Sequence, residues 1–225
     1  MNSMINEDEP EHRRLRTLVH KAFTPRQLRK LEGRIQEITN ELLDKAEKNG
    51  RMELVEQFAR PIPVPVIAEM VGVKVEEVPE LTTYIDALTD GMTGFSLLQT
   101  FFLRMPKAVK FMKKLVERKR AKPADDILTA LIEAEEDGER LSEDELVAMI
   151  FLLIVAGHET TYNLIANATL TLLQHPDQLQ MVRERPSLWE QAIEEVLRFN
   201  GSIITTKPEY AIEPVTYHGV TIPKG

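Results

Sequence analysis

Three sets of residues in this 225-residue chain have types and spacings that could do chemistry. The first is Ala156-Gly157-His158-Glu159-Thr160-Thr161, directly after the apolar run from Leu146 to Ala156. Gly in a helix interior costs about 1 kcal/mol relative to Ala. A buried, unpaired carboxylate costs several times that, or takes up a proton. A helix distortion or a polar site would offset these costs. Glu159 beside Thr160 can pass protons, directly or through water, to an acceptor held against the helix, and Gly157 opens room for a ligand at the backbone. The competing reading is a kinked helix whose Thr hydroxyl bonds a carbonyl, with Glu159 salt-bridged at the surface. Zinc is rejected: the His-Glu pair opens a zinc-protease signature, but that signature needs a second His at position 162, which is Tyr.

The second set is Glu195 and Arg198, at i, i+3 on one helix face. Flanking Ile193, Val196, Leu197 and Phe199 suggest a largely buried helix, where breaking such a pair costs several kcal/mol. An exposed ion pair is the plainer alternative. The third set is His12 and Arg16, at i, i+4 and so on one face. Together they can hold a carboxylate or phosphate, Arg by its planar fork. The alternative is a solvated basic face paired with the acidic start of the same helix.

The elements that would position these groups are mostly helical. Pro10 to Phe23 reads as a first helix. Thr24-Pro25-Arg26-Gln27 reads as an N-cap, a first-turn Pro and a capping-box Gln, and opens a helix that stops at Asn49-Gly50. Pro61, Pro63 and Pro65 precede a short helix ending near Gly72, and 76–90 form another. Gly91 to Phe95 reads as a connector before the apolar stretch Phe95 to Met105. A basic amphipathic helix runs from Pro106 to Arg120, and a further helix from Asp125 to Glu136 is closed by Asp137-Gly138. Ser142 with Glu145 is a capping box. No breaker except Gly157 follows until Pro176, which predicts a helix about 45 Å long. Ser187 with Glu190 reads as another capping box, for a helix ending at Asn200-Gly201. Ile203 to Thr206 and Val215 to Ile222, with a turn at His218-Gly219, read as short strands. The expected class is mainly α, with short β-strands near the C-terminus.

Composition bounds the rest. The formal net charge is -8, which argues against a general nucleic-acid footprint. The N-terminus is polar and acidic, without a signal peptide. The run 146–156 is about half of what spans a bilayer. The expectation is a soluble, cytoplasmic protein with no membrane or nucleic-acid partner. There are no cysteines, and so no thiolate.

Taken together, His-x-x-x-Arg near the start, Ala-Gly-x-Glu-Thr-Thr on a long helix and Glu-x-x-Arg on a later one resemble the cytochrome P-450 superfamily, closest to its soluble bacterial class. Asp8-Glu9-Pro10-Glu11-His12, Lys21-Ala22-Phe23-Thr24-Pro25, Glu135 to Ser142 and Gly219 to Gly225 agree with it, so that the resemblance covers 1–225 as a single partial P-450 domain. It implies that the long helix 142–175 is the distal helix over a haem (heme, iron protoporphyrin IX). Glu159 and Thr160 then correspond to the acid–alcohol pair that delivers protons to dioxygen, and Ala156 and Gly157 line the oxygen groove. His12 and Arg16 correspond to the haem-propionate pair, Glu195 and Arg198 to the structural pair supporting the haem-binding core, and Ile203 and Ile204 to a substrate-lining loop. The implied reaction is monooxygenation of a hydrophobic small molecule by O2, with electrons from a ferredoxin or flavodoxin and its reductase. Where the family carries an Arg toward the second propionate, this chain aligns Glu209, with Lys207 as a possible substitute. Without the axial thiolate that favours O–O cleavage, the polypeptide alone is expected to be an inactive fragment with poorly covered apolar faces. Segment 91–105, the distal helix before Gly157, and Ile203-Ile204 are mostly Leu, Ile, Phe and Met, which suits a hydrophobic substrate. The alternative function is a non-catalytic helical module that binds an apolar ligand or partner and has lost the haem site. A third reading is a bare helical interaction protein.

Overall fold

Local capping chemistry sets where most helices begin. The computed structural model describes residues 3–89, 100–136, 138–205 and 209–225. Helix α1 (Glu11–Ala22) buries Leu15, Leu18 and Ala22 at spacings of three and four. Helix α2 (Pro25–Asn49) starts where Thr24 Oγ1 accepts the Gln27 backbone N–H at 3.3 Å, and ends at Gly50 in the left-handed region (φ 65). The expected capping box there is only half made. The Gln27 side chain instead donates to Asp125 at 2.9 Å, tying α2 to a distant loop.

A π-helical turn, Val55–Ala59, leads into α3 (Pro63–Met70), and a 3-10 turn, Val75–Glu77, leads into α4 (Val78–Thr89). After a second π-helical turn, Thr100–Arg104, come α5 (Met105–Ala121) and α6 (Ile127–Glu133). The connector at Gly91–Phe95 and the start of the apolar stretch after it, up to residue 99, lie outside the described residues. Helix α6 is capped by Asp126, whose Oδ1 accepts the Thr129 N–H at 2.8 Å. It is shorter than the expected 125–136. Ala134 turns extended, and Glu135–Glu136 (β1) pairs antiparallel with Glu139–Arg140 (β2). Gly138 sits at φ 82 between them. A glycine free to take positive φ suits a two-residue hairpin as well as a helix stop.

Helix α7 (Glu143–Gln174) has 32 residues and a complete capping box. Glu145 Oε2 accepts the Ser142 N–H at 2.7 Å, and Ser142 Oγ accepts the Glu145 N–H at 3.3 Å. The helix runs unbroken through Gly157. Pro176 does not end helical structure: it opens α8 (Pro176–Glu184), which the sequence reading passed over. A 3-10 turn, Pro186–Leu188, then enters α9 (Trp189–Asn200). Ser187 lies inside that turn and caps nothing, because Pro186 starts the coil one residue too early for an extended N-cap. The hairpin β3 (Val215–Tyr217) and β4 (Val220–Ile222) pairs Val215 with Ile222 around His218-Gly219, as expected. Residues 203–205 form no strand, and Thr206 lies outside the described residues.

The core forms where the first half of α7 is surrounded. Leu146, Val147, Met149, Ile150 and Ile154 pack with Val64 and Ile67 of α3, Leu81 and Ile85 of α4, and Met112 and Leu115 of α5. Each such side chain contributes about 1.5–3 kcal/mol on burial. The second half of α7 is flanked by α8 and α9 and leaves Leu170 and Leu173 exposed. By length and composition α7 could cross a membrane, its best window having a mean hydropathy of 1.3. The apolar pattern therefore extends beyond the run 146–156. It packs on α3, α5 and α9 with His158 turned inward, and 28% of that window is buried.

Candidate functional site

Helical periodicity divides the hexapeptide between two faces. His158 is 1% exposed, turned into the protein, with its ring 5.2 Å from that of Tyr162 in an edge-on arrangement. Ala156 and Glu159 are exposed, and Thr160 half-buried, on the other side. Residues 156 and 160 stand one turn apart and so share a face. Thr160 Oγ1 donates to the Ala156 carbonyl at 2.5 Å, which leaves the hydroxyl oxygen free to accept. This is one half of the plainer sequence reading. The other half is missing: among the described residues Glu159 has no ion-pair partner. Its carboxylate is exposed to solvent.

Gly157 does not open empty space. A Cβ there would meet Ile67 Cδ1 at 3.2 Å, so the glycine lets α3 approach α7 closely. Any ligand room at this level lies on the side of Ala156 and Thr160.

On α1, His12 Nδ1 lies 3.9 Å from Glu9 Oε1. Two neighbouring arginines are neutralised. Arg13 pairs with Glu9 at 3.0 Å, and Arg14 holds Glu11, Glu145 and, at 3.5 Å, Glu139. Its hydrogen bonds to the Glu11 carboxylate, with Glu145 adding to them against the opposing effect of burial, hold the Arg14 guanidinium far above its ordinary range. Burial pushes Glu145 up, but the Ser142 N–H and hydroxyl and Arg14 outweigh it and hold the carboxyl below its usual value. Arg16, by contrast, is exposed and has no carboxylate among the described residues. A His and an unneutralised Arg one turn apart can receive an anionic group from outside the chain. No hydrogen bond or ion pair among the described residues joins His12 or Arg16 to Glu159 or Thr160. The two helices are connected instead through Arg14 and Glu145.

Glu195 and Arg198 form a two-pronged pair, Nε to Oε2 at 2.7 Å and Nη2 to Oε1 at 2.6 Å. Arg198 holds the Glu195 carboxyl below its usual value. The expected burial is not found: the side chains are 60% and 69% exposed. Helix α9 offers only Val196 to the interior and leaves Ile193, Leu197 and Phe199 in solvent. It is fixed to α7 by Asn167 Nδ2 donating to the Asn200 carbonyl at 3.1 Å. An open cavity of about 500 Å³ lies between α7, α8 and α9, lined by Thr171, His175, Val182, Val196 and Phe199, with Glu195 beside it. Ile203 and Ile204 extend from Gly201 into solvent, Ile204 being 95% exposed. Glu209 is exposed, and Lys207 lies outside the described residues.

Two contacts that hold these elements were missed in the sequence. Lys119 and Asp126 form a buried ion pair, each side chain 10% exposed, and the Arg14–Glu145 pair fixes α1 to the start of α7. The capping box at Ser142 pointed to Glu145, but its second role depends on a partner 131 residues away. Among the described residues no group of His, Asp and Glu could hold a metal ion.

A family model described as Cytochrome P450 matches residues 2–185. Cytochrome P450 107B1 of Saccharopolyspora erythraea is 44% identical over 222 residues, 99% of this chain and 54% of that relative. Vitamin D(3) 25-hydroxylase of Pseudonocardia autotrophica is also 44% identical, over 99% of this chain and 54% of its own length. The crystal structure of CYP109E1 from Bacillus megaterium in complex with testosterone superposes with a TM-score of 0.87 at 33% identity, covering 100% of this chain and 61% of that one. The chain thus spans about half the length of the curated relatives it matches.

Proposed function

Because this chain belongs to the cytochrome P450 family, we propose that it contributes the oxygen-side and propionate-side walls of a haem site in a monooxygenase acting on a hydrophobic small molecule. The observation that carries this reading is the pairing on α7 of an unpartnered acid, Glu159, with an alcohol, Thr160, on an outward face. The family's cofactor is haem, which supplies binding and activation of O2 when present.

The residues present fit such a group on two sides. Arg16, left without a carboxylate beside neutralised Arg13 and Arg14, suits a propionate, with His12 as its second donor. Ala156 offers a small, exposed surface to a flat apolar ring, and Gly157 keeps α7 seated on Ile67 beneath it. An iron-ligating thiolate is not among them, since the 225 residues include no cysteine. We therefore read 1–225 as a partial domain that does not run the reaction by itself.

The overall change takes substrate, O2, two electrons and two protons to hydroxylated substrate and water. Within it Thr160 holds a proton acceptor site one turn above Ala156, and Glu159 exchanges protons between solvent and that hydroxyl. Glu195 and Arg198 are the structural pair that supports the haem-binding core, and Ile203 and Ile204 stand in the loop that meets substrate. A ferredoxin or flavodoxin with its reductase delivers the electrons, and the protein works in the cytoplasm. Vitamin D(3) hydroxylation in one relative and bound testosterone in one structural neighbour support a hydrophobic substrate class. The competing reading, a non-catalytic helical module for an apolar ligand or partner, draws on the lack of cysteine.

The test is a chimera that joins 1–225 to the remaining residues of the Saccharopolyspora relative. Thr160→Ala and Glu159→Gln should leave haem content unchanged. They should divert electrons from hydroxylated product to hydrogen peroxide, the two-electron, two-proton product of O2. Unchanged product per electron in both variants would exclude the proton-handling role.

A further inference from the structure

We propose that the outer face of α5 docks an acidic helical segment of a partner protein. Four of the seven cations of α5 are already paired. Lys113 pairs with Glu143 and Asp144, Arg118 with Glu77, Lys119 with Asp126 and Arg120 with Glu143. Lys107, Lys110 and Lys114 are exposed and have no carboxylate partner among the described residues. Their i, i+3, i+7 spacing places them within about 60° of one another around the helix and spreads them over about 10 Å of its length. Leu103, 61% exposed, continues the same arc at its N-terminal end.

The lysines form one wall of a groove of about 360 Å³ between α4 and α5. The opposite wall carries Glu77, Glu80 and Tyr84. Arg118 neutralises Glu77 through two bonds of 2.7 and 2.8 Å. The Tyr84 hydroxyl donates to Glu80 at 2.6 Å. Burial, reinforced by Glu80, pushes the Tyr84 hydroxyl up to about 12. Cations therefore outnumber carboxylates two to one in this groove, on a chain of net charge -8. The inner face of α5, with Ala108, Met112, Leu115 and Val116, is already buried, so the helix presents its lysines outward at fixed backbone spacing.

The shape selects among anions. A linear row of three cations at helical spacing matches carboxylates at the same spacing on a second helix, with an apolar residue of that helix against Leu103. Glu80 on the far wall and Glu117 just beyond Lys114 confine the cationic row to about 10 Å, two turns of a partner helix and far less than an anionic lipid sheet would cover. Local attraction on a like-charged background sets specificity and association rate. This inference stands on charge and geometry and does not depend on the haem reading.

The test titrates the full chain into a fluorescein-labelled amphipathic helical peptide with glutamates at i, i+3 and i+7, and into a twin with lysines there, followed by anisotropy. The glutamate peptide should bind at least about tenfold more tightly, and more weakly as salt rises. K107E/K110E/K114E should abolish that preference without changing the circular dichroism spectrum. K45E/K48E on α2, with a smaller charge change on a different surface, should preserve it. Equal binding of both peptides, or full binding by the triple variant, would overturn the proposal. So would lysine-dependent binding to phosphatidylglycerol vesicles with none to the glutamate peptide, which would make the face a lipid surface.

Discussion

Gly157 of α7 and Ile67 of α3 meet where the two helices cross, and a Cβ at 157 would lie 3.2 Å from Ile67 Cδ1. Replacing Gly157 by Ala sets two effects against each other. Helix propensity improves by about 1 kcal/mol, while a buried isoleucine must shift by a few tenths of an ångström. Gly157→Ala is therefore expected to change stability by less than about 1 kcal/mol. Gly157→Leu has no such compensation and should destabilise by about 2 kcal/mol or more. Urea unfolding followed by circular dichroism distinguishes them, and equal stability of both variants would contradict the close packing.

Lys119, Asp126 and Gly72 form a second tight cluster. Asp126 both pairs with Lys119 and caps α6 through the Thr129 N–H. Asp126→Ala should cost about 3–5 kcal/mol, because it strands the Lys119 ammonium and removes a cap. Asp126→Asn keeps an acceptor for the cap and should lose less. Gly72 sits at φ 66, and a Cβ there would collide with Lys119 Nζ and Asp126 Oδ2. Gly72→Ala should therefore also destabilise. Thermal melts of the three variants, with Asn the mildest at position 126, check this ordering.

Acid should weaken the fold through Glu145 and Glu77. Both carboxyls are held below their usual value of 4.5 in the folded protein. For Glu77 the cause is foremost the Arg118 hydrogen bonds. A depressed folded value means the unfolded chain binds protons first. The stabilisation is complete above about pH 5 and is lost as pH falls through 4.5 and below. Unfolding midpoints measured from pH 6 downward should fall, and Glu145→Gln should flatten the fall while lowering the pH 6 midpoint. A steeper fall in the variant would contradict the assignment.

Glu195 and Arg198 give the opposite expectation. Both are exposed, so Arg198→Ala should leave the unfolding midpoint of this chain unchanged. A collapse of the fold on that substitution would contradict the exposed placement of the pair.

The legible parts of the sequence were those specified by near neighbours. Thr24-Pro25, Ser142 with Glu145 and His218-Gly219 each fix a boundary through contacts only a few residues apart, and each boundary stands where expected. Asp137-Gly138 misled because a glycine able to take positive φ serves a helix stop and a hairpin equally. Ser187 misled because Pro186 begins a turn that absorbs it. At the site, the sequence revealed that the long helix carries an acid next to an alcohol, Glu159 and Thr160. It could not reveal that Ile67 fills the space above Gly157, that Arg14 reaches Glu145, or that Lys119 meets Asp126, since those partners are distant in sequence or set by helix crossing. The apolar residues around Glu195 advertised burial, but amphipathic spacing says which face is apolar and not what covers it. Of those residues only Val196 is buried.

The carbon monoxide difference spectrum of the reduced haem-loaded protein is the most direct measurement of whether 1–225 holds haem by its propionate and oxygen sides while the iron ligand comes from other residues. The chimera of 1–225 with the rest of the Saccharopolyspora relative should give a band of the thiolate-ligated type, weakened by combined His12→Ala and Arg16→Ala. The chain 1–225 alone should give none. A thiolate-type band from 1–225 alone, or a folded chimera that takes up no haem, would contradict this assignment.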